Sequence, residues 1–317
     1  MKKATLVFAI IVGPLFSNAQ SYPHITMFMF NKLLYDPAYA GEKGVTTVNA
    51  FYRTQWTGID GAPKTFNMSI DGSVGNPNSS FRHVALGVNV NYEQLGITTT
   101  TNAMAYYAYR ILTGKSILSF GLQAGAALYS ARYNDLNPYQ QNDPSLVNNF
   151  NNIFLPNVGA GVYWSGDNFY AGAAVPNLLQ NYYDKNINTN DEGSKQLRSY
   201  YACGGYVFAI GEKVKLLEQM LCRYAGNRLY NLPFSSDFNV SEIFYDRIMF
   251  GITYRTDKSF EGIVHVQVTN NVNIGYAYDY YASVLQPYTK GSHEVTVGFD
   301  FIKDRNKASS PRFVKLF

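Results

Sequence analysis

The feature that most limits what this chain can become is a period-two alternation that recurs from about residue 45 to residue 302. In the stretch 84–92, Val84, Leu86, Val88, Val90 and Tyr92 share one face, and Ala85, Gly87, Asn89 and Asn91 share the other. Leu118, Phe120, Leu122, Ala124, Ala126 and Leu128 oppose Ser119, Gly121, Gln123, Gly125 and Ala127 in the same way. Successive side chains of a strand point to opposite faces, so each such segment is a strand with one apolar face and one polar or small face. Fourteen segments carry the pattern: 45–56, 65–71, 84–94, 101–110, 116–130, 153–165, 168–175, 196–210, 213–224, 234–243, 246–256, 259–268, 272–280 and 293–302. The weakest are 213–224, where Glu218 falls on the otherwise apolar face, and 234–243.

An antiparallel sandwich alternates too, and three features separate it from a membrane barrel. The second face is rich in Gly, Ala, Ser and Asn, whereas the solvent face of a soluble sheet carries Lys and Glu. Aromatics gather near segment ends (Tyr52, Trp56, Tyr92, Tyr106, Tyr107, Tyr109, Tyr163, Trp164, Tyr276, Tyr278, Tyr280, Tyr281), as interfacial girdles require. Connection length also follows parity. The long gaps 131–152, 176–195, 225–233 and 281–292 all follow odd segments, while gaps after even segments are short apart from 72–83. Short periplasmic turns and long outer loops mark an outer-membrane barrel with its N-terminus inside. The expected fold is an all-β, transmembrane, antiparallel up-and-down barrel of about 14 strands.

The ends of the chain have their own character. Lys2 and Lys3, the apolar run Ala4 to Phe16 and the small-x-small sequence Ser17-Asn18-Ala19 read as a cleaved signal peptide over 1–19. Residues 20–43 form an N-terminal segment, 44–302 the barrel and 303–317 a basic tail. Segment 20–43 is too apolar for a free tail, with Met27, Phe28, Met29, Phe30, Leu33, Leu34 and Tyr39 close together. It is expected to pack against the periplasmic mouth or to enter the lumen as a partial plug. Without Lys2 and Lys3 the chain has 24 basic and 22 acidic residues and no basic block, which excludes a nucleic-acid partner. Whether Cys203 and Cys222 pair stays open.

No catalytic chemistry is visible. His24, His83, His265 and His293 belong to no zinc motif; His293-Glu294 is followed by Val-Thr-Val on a strand. Nucleophile elbows, phosphate loops and C-x-x-C pairs are missing, so neither enzyme activity nor a cofactor or metal is expected. By alternation, Arg53, Gln55, Glu93, Arg255, His265, Gln267, Asp279, Glu294 and Asp300 face inward as a polar network, and Arg110 joins them if its segment keeps the other face to lipid. Arginine forks suit carboxylates in such a partly desolvated space.

One set of residues carries a family likeness. Leu33-Leu34-Tyr35-Asp36-Pro37-Ala38-Tyr39-Ala40-Gly41 precedes Tyr52-Arg53-Thr54-Gln55-Trp56-Thr57-Gly58 and Gly61-Ala62-Pro63; Gly275-Tyr276-Ala277-Tyr278-Asp279 and Gly291-Ser292-His293-Glu294 come later. The chain resembles the PorP/SprF family of type IX secretion system outer-membrane proteins from about residue 22 to Phe313. Lys32 stands where the family usually has Pro, and Arg53-Thr54-Gln55-Trp56 replaces its Arg-Gln-Gln-Trp. The resemblance implies a non-enzymatic accessory of protein secretion in the outer membrane of a Gram-negative bacterium. It implies support for export or surface anchoring of a large secreted protein of the gliding-adhesin type with a C-terminal sorting domain. The partners it implies, beyond membrane lipid, are periplasmic ring components and a peptidoglycan-binding lipoprotein. The rival reading on the same barrel is a passive pore for small solutes.

Each rim is expected to have its own partner. Tyr139, Phe150, Phe154, Tyr182 and Tyr183 equip the outer loops with aromatic anchors for the secreted protein. Lys303, Arg305, Lys307, Arg312 and Lys315 make the tail a basic arm for acidic periplasmic surfaces.

Overall fold

The computed structural model describes residues 24–75, 81–133, 150–183, 195–226, 234–282 and 286–302, the side chain of Phe150 excepted. The strands are β1 Thr46–Thr54, β2 Lys64–Val74, β3 Val84–Leu95, β4 Thr98–Thr113, β5 Ser116–Ala131, β6 Phe150–Ser165 and β7 Phe169–Val175, then β8 Arg198–Ala209, β9 Val214–Gly226, β10 Ser235–Phe244, β11 Ile248–Arg255, β12 Ser259–Gln267, β13 Val272–Tyr281 and β14 Ser292–Phe301. Each pairs with its chain neighbours, and β14 closes on β1, which makes a 14-stranded closed antiparallel barrel. Closure leaves no strand edge without hydrogen-bond partners, the condition for crossing a bilayer as strands.

Burial is inverted relative to a soluble sheet. On β2, Phe66, Met68, Ile70 and Val74 are 39–49% exposed while Thr65, Asn67, Ser69, Asp71 and Ser73 are buried. Apolar side chains arranged this way around a whole barrel require lipid outside. The loop-rich ends of the odd strands form the outer end, and the short turns after even strands lie at the periplasmic end. In β9, the weakest segment on sequence, Glu218 is outward and exposed, registered against Tyr206 and Val240.

Two details differ from the sequence expectation, and one open question is answered. Strand β6 begins at Phe150, not residue 153, which brings Phe150 into the wall; Phe154, inside the expected segment, faces outward beside Leu128 as a wall aromatic and not a loop anchor. The hairpin between β3 and β4 is only Gly96-Ile97, made possible by the left-handed φ of Gly96, +55°. Cys203 faces the lumen with Tyr201 and Val207, whereas its cross-strand neighbour Cys222 has the opposite parity, so both are free thiols.

The hydrophobic core lies inside the barrel and is built by residues 24–44. Ile25, Met27, Phe28, Met29 and Tyr35 pack against Phe51, Tyr201, Leu217, Leu221, Ile243, Met249 and Ile263. Leu33, Ala38, Tyr39 and Ala40 pack against Ala85, Tyr106, Ala108, Tyr163 and Tyr170. Each fully buried Met, Ile or Phe contributes about 1.5–3 kcal/mol. The segment is folded as three 3₁₀ turns, Phe28–Phe30, Lys32–Leu34 and Pro37–Tyr39, the last begun by Pro37 and capped by the Asp36 carboxylate, which accepts from Ala38 N–H at 2.9 Å. It leaves the lumen at Gly41 and Gly44, with φ of +70° and +71°, and feeds β1.

The small inward residues are cut to fit this chain. A Cβ on Gly121 would strike the backbone of Pro37 and Ala38, and one on Gly161 or Gly172 would strike the Asp36 carboxyl. The Gly- and Ala-rich second face noted in the sequence is therefore the negative imprint of a plug.

Candidate functional site

At the outer end the lumen is crossed by an ionic network. Arg53 Nη2 lies 2.5 Å from Asp279 Oδ2 and Nη1 lies 3.2 Å from Glu294 Oε2, all three side chains fully buried. Register accounts for the meeting, since Arg53 is opposite Glu294 across the closure seam and Asp279 is opposite Ser292 on the next pair. The plug is tied into it. Thr26 Oγ1 accepts from Arg53 at 2.6 Å and donates to Asp279 at 2.7 Å; Thr26 N–H and Met27 N–H donate to Glu294 at 2.8 and 3.0 Å.

A second group adjoins it. Arg255 contacts Asp237 at 2.9 Å and Glu261 at 2.5 Å, and Arg223 contacts Asp237 at 2.5 Å. The sequence reading named Arg255 but not Asp237, Glu261 or Arg223. Glu261 shares the parity of His265 and Gln267, so it was readable; Asp237 and Arg223 sit in the two segments of weakest alternation. His24, between these arginines, is held well below its usual pKa by burial and then by Arg223, Arg255 and Arg53.

A third group holds the plug at the periplasmic end. Asp71 accepts from Gly41 N–H at 2.7 Å, and Lys43 pairs with Asp300 at 3.2 Å. Glu42 accepts from Ser165 at 2.5 Å and lies 3.5 Å from Arg110, which settles the open question of strand β4: Arg110 faces in, and Tyr107 and Tyr109 face lipid. His265 stacks on Phe30 with centroids 3.9 Å apart, Gln267 bonds Thr269 O at 2.9 Å, and Gln55 is buried at the start of the β1–β2 turn. Glu93 has the inward parity but stands apart from all three groups, half-buried beside Thr65 and Thr100.

Between the ionic groups lie two further buried ionisable residues of the plug, Asp36 and Lys32. Burial pushes the Asp36 carboxyl up to about 8 against the Ala38 hydrogen bond. Lys32 sits 3.5 Å over the Tyr170 ring and 3.4 Å from the Tyr163 hydroxyl, and burial brings it down to about 8. A recess beside Met29, Phe30, Lys32, Glu42, Met249 and His265 has a volume of about 60 Å³, enough for a few waters.

The remaining motif residues divide between turns and the outer surface. Trp56, Gly58 and Gly61 take left-handed φ of +45°, +104° and +73° in the β1–β2 turn, whose Pro63 carbonyl accepts from Gln55 N–H at 2.9 Å. Gly275 leaves room for the Met27 sulfur, and Gly291, at φ +89°, packs against Tyr278. Ser292 is buried, whereas Tyr276, Tyr278 and His293 face outward. Of the expected partner-binding residues, Tyr182 is bridged to Lys195 and Tyr183 lies against Tyr129 with centroids 4.8 Å apart. Tyr139, the tail residues Lys303, Arg305, Lys307, Arg312 and Lys315, and the leader 1–19 lie outside the described residues.

Similar barrels occur among solved structures. Acinetobacter baumannii Omp33 matches with a TM-score of 0.46 and 8% identity over 81% of this chain and 98% of its own. The KdgM porin matches at 0.40 and 10% over 81% and 99%, and Salmonella typhi OmpF in complex with daunomycin at 0.39 and 10% over 82% and 99%. The curated proteins contain no match. The family comparison is specific: the family described as type IX secretion system membrane protein PorP/SprF matches residues 17–299, a span that takes in the plug and all but the last two residues of β14. An outer-membrane barrel whose wall and plug both lie within that match, this chain belongs to the PorP/SprF family of type IX secretion system membrane proteins.

Proposed function

We propose that this protein serves the type IX secretion system as a plugged, non-enzymatic anchor, supporting the export or surface attachment of a large secreted protein with a C-terminal sorting domain, of the gliding-adhesin type. The observation that carries the reading is the occupied lumen. Residues 24–44 fill it from the Glu294 contact near the outer end to the Lys43–Asp300 pair at the periplasmic end. A barrel whose lumen is occupied by its own chain acts through its rims. On this reading the outer loops hold the secreted protein, and the inner rim with the basic tail holds periplasmic ring components and a peptidoglycan-binding lipoprotein. Family membership supports contact with secretion components.

The test is affinity isolation from outer membranes with paired deletions, barrel assembly being checked by heat-modifiable migration. Trimming the 132–149 loop is expected to release the secreted protein while ring association persists; removing 305–317 is expected to do the reverse. An assembled barrel in which either deletion leaves both associations unchanged refutes the assignment for that rim. Porin-like conductance of the intact protein in planar bilayers refutes the plugged reading.

A further inference from the structure

His293 of the Gly291-Ser292-His293-Glu294 motif has no role in the lumen. Its neighbours Ser292 and Glu294 point inward, and His293 points out. There it belongs to a row fixed by register across four strands, Tyr278 opposite His293, His293 opposite Thr54, and Thr54 opposite Lys64. Barrel strands tilt by about 40°, so such a row climbs by about 3 Å per strand. The direction is outward: Tyr278 is three residues from the outer end of β13, while Thr54 and Lys64 are terminal on β1 and β2. The climb lifts Lys64 above His293 to the level of Lys290, which precedes His293 by three residues.

Lys290 is held at that level by the backbone. Its N–H donates to Thr57 O at 2.7 Å, and Thr57 N–H donates to Gly291 O at 2.8 Å, prolonging the β1–β14 pairing past the strand ends. The Tyr278 hydroxyl donates to Lys290 O at 3.1 Å, and the Tyr276 hydroxyl is 2.7 Å from His293 Nδ1, which leaves Nε2 to the outside. Both lysines are exposed, and neither is in an ion pair among the described residues. Asp60 in the β1–β2 turn is exposed but pairs with neither; Glu93, Asp279 and Glu294 all point inward. Beneath the cations runs an apolar shelf of Tyr276, Val295, Tyr52 and Phe66, each at least 43% exposed.

Among the described residues the cationic row does not continue beyond β2. Farther along the same row, Gln94, Thr99 and Ser130 are neutral. At the outer end of β8 the Arg198 guanidinium is spent on Leu178 O, at 2.8 and 3.1 Å.

We propose that the outer-end face of β13, β14, β1 and β2 binds the phosphate-bearing headgroup of an outer-leaflet glycolipid. Lys64 and Lys290 take the phosphate, His293 Nε2 and the Thr54 hydroxyl take oxygens just below it, and the acyl chains run down the aromatic shelf. Two exposed ammonium groups above an aromatic and aliphatic surface complement the two halves of that lipid in the order in which the bilayer presents them.

The experiment titrates the full-length barrel in detergent with purified lipid A, with its dephosphorylated form and with inorganic phosphate, reading lipid-bound species by native mass spectrometry. Wild-type protein is expected to retain lipid A and to bind the dephosphorylated lipid at least tenfold more weakly. K64A/K290A is expected to lose tenfold in affinity, each single variant and H293A about threefold, and K115A, on the periplasmic β4–β5 turn, nothing. All positions are on the surface, and heat-modifiable migration reports assembly; should the double variant not assemble, the single variants carry the test. Undiminished lipid A binding by assembled K64A/K290A, or by both single variants, overturns the proposal. So does equal binding of the dephosphorylated lipid, a loss in K115A as large as in the double variant, or displacement of the lipid by millimolar phosphate, which would make this a free-phosphate site.

Discussion

Arg53 on β1 and Asp279 on β13 are two strands apart, yet their side chains meet at 2.5 Å with neither exposed, because β14 between them contributes Glu294 to the same guanidinium. One cation therefore balances two buried carboxylates and also supports Thr26 of the plug. Removing it leaves both anions unpaired away from water. R53A is expected to lose about 3–5 kcal/mol of barrel stability. D279N, which keeps shape and leaves Glu294 to Arg53, is expected to lose less. Urea-dependent loss of the heat-modifiable form measures both; equal midpoints for R53A and wild type contradict the assignment.

Glu294 does a separate task, accepting the N–H groups of Thr26 and Met27. In E294Q the amide brings a donor against these donors, and one charge-assisted bond, worth about 1.5–3 kcal/mol, is weakened. The barrel wall is expected to survive while residues 24–30 become sensitive to protease added from outside. Full protease resistance in E294Q would mean that the packing of Ile25, Met27 and Phe28 alone holds the plug.

Gly121 and Gly161 give access to the plug from the wall. A Cβ at Gly121 collides with the Pro37 and Ala38 backbone, and one at Gly161 strikes the Asp36 carboxyl first and comes within 3.0 Å of Ala174 Cβ in the wall. G121V and G161L are expected to cost about 1–3 kcal/mol by overpacking, taken from plug docking instead of strand pairing. Intermittent conductance in planar bilayers, against a closed wild type, is the expected readout. Variants that stay closed and as stable as wild type would show that the plug has room to shift.

The wall was readable in the sequence because lipid outside and packed chain inside both act on a period of two. All fourteen segments correspond to strands, and even Glu218 marks an outward position correctly. The start of β6 differs because Phe150 sits in an Asn-rich run that reads as loop, although its cross-strand pairing with Ala131 extends the strand. Charged partners were readable singly and not as pairs: parity turns Arg255 and Asp279 inward, but only register tells which carboxylate each arginine reaches. The path of residues 24–44 lies beyond any periodic signal, since its third turn is shaped by Gly121, Gly161 and Gly172 of β5, β6 and β7, which face Asp36, Pro37 and Ala38. The outward row from Tyr278 to Lys64 has the same origin, four strands contributing one residue each.

Asp36 and Lys32 make plug docking depend on pH in opposite senses. The Asp36 carboxyl has an ordinary value of 3.8 and about 8 in the folded barrel, raised by burial. Its folded state therefore binds the proton more tightly than the unfolded one. That contribution is complete below pH 4 and is lost as pH rises through 8. Lys32 moves from 10.5 down to about 8, again through burial. Its contribution is complete above 10.5 and is lost as pH falls towards 8. The two together give weakest docking near pH 8, with protection rising towards acid through Asp36 and towards base through Lys32. Protease resistance of residues 24–44, measured from pH 5 to 10 in the assembled barrel, is expected to pass through a minimum there. D36N keeps an oxygen for the Ala38 N–H while removing the charge, so it is expected to raise resistance at pH 8 and to abolish the acid-side rise. K32M keeps the length of the side chain and is expected to abolish the rise on the alkaline side. A D36N profile that still climbs on acidification would assign that limb to another buried carboxyl and not to Asp36.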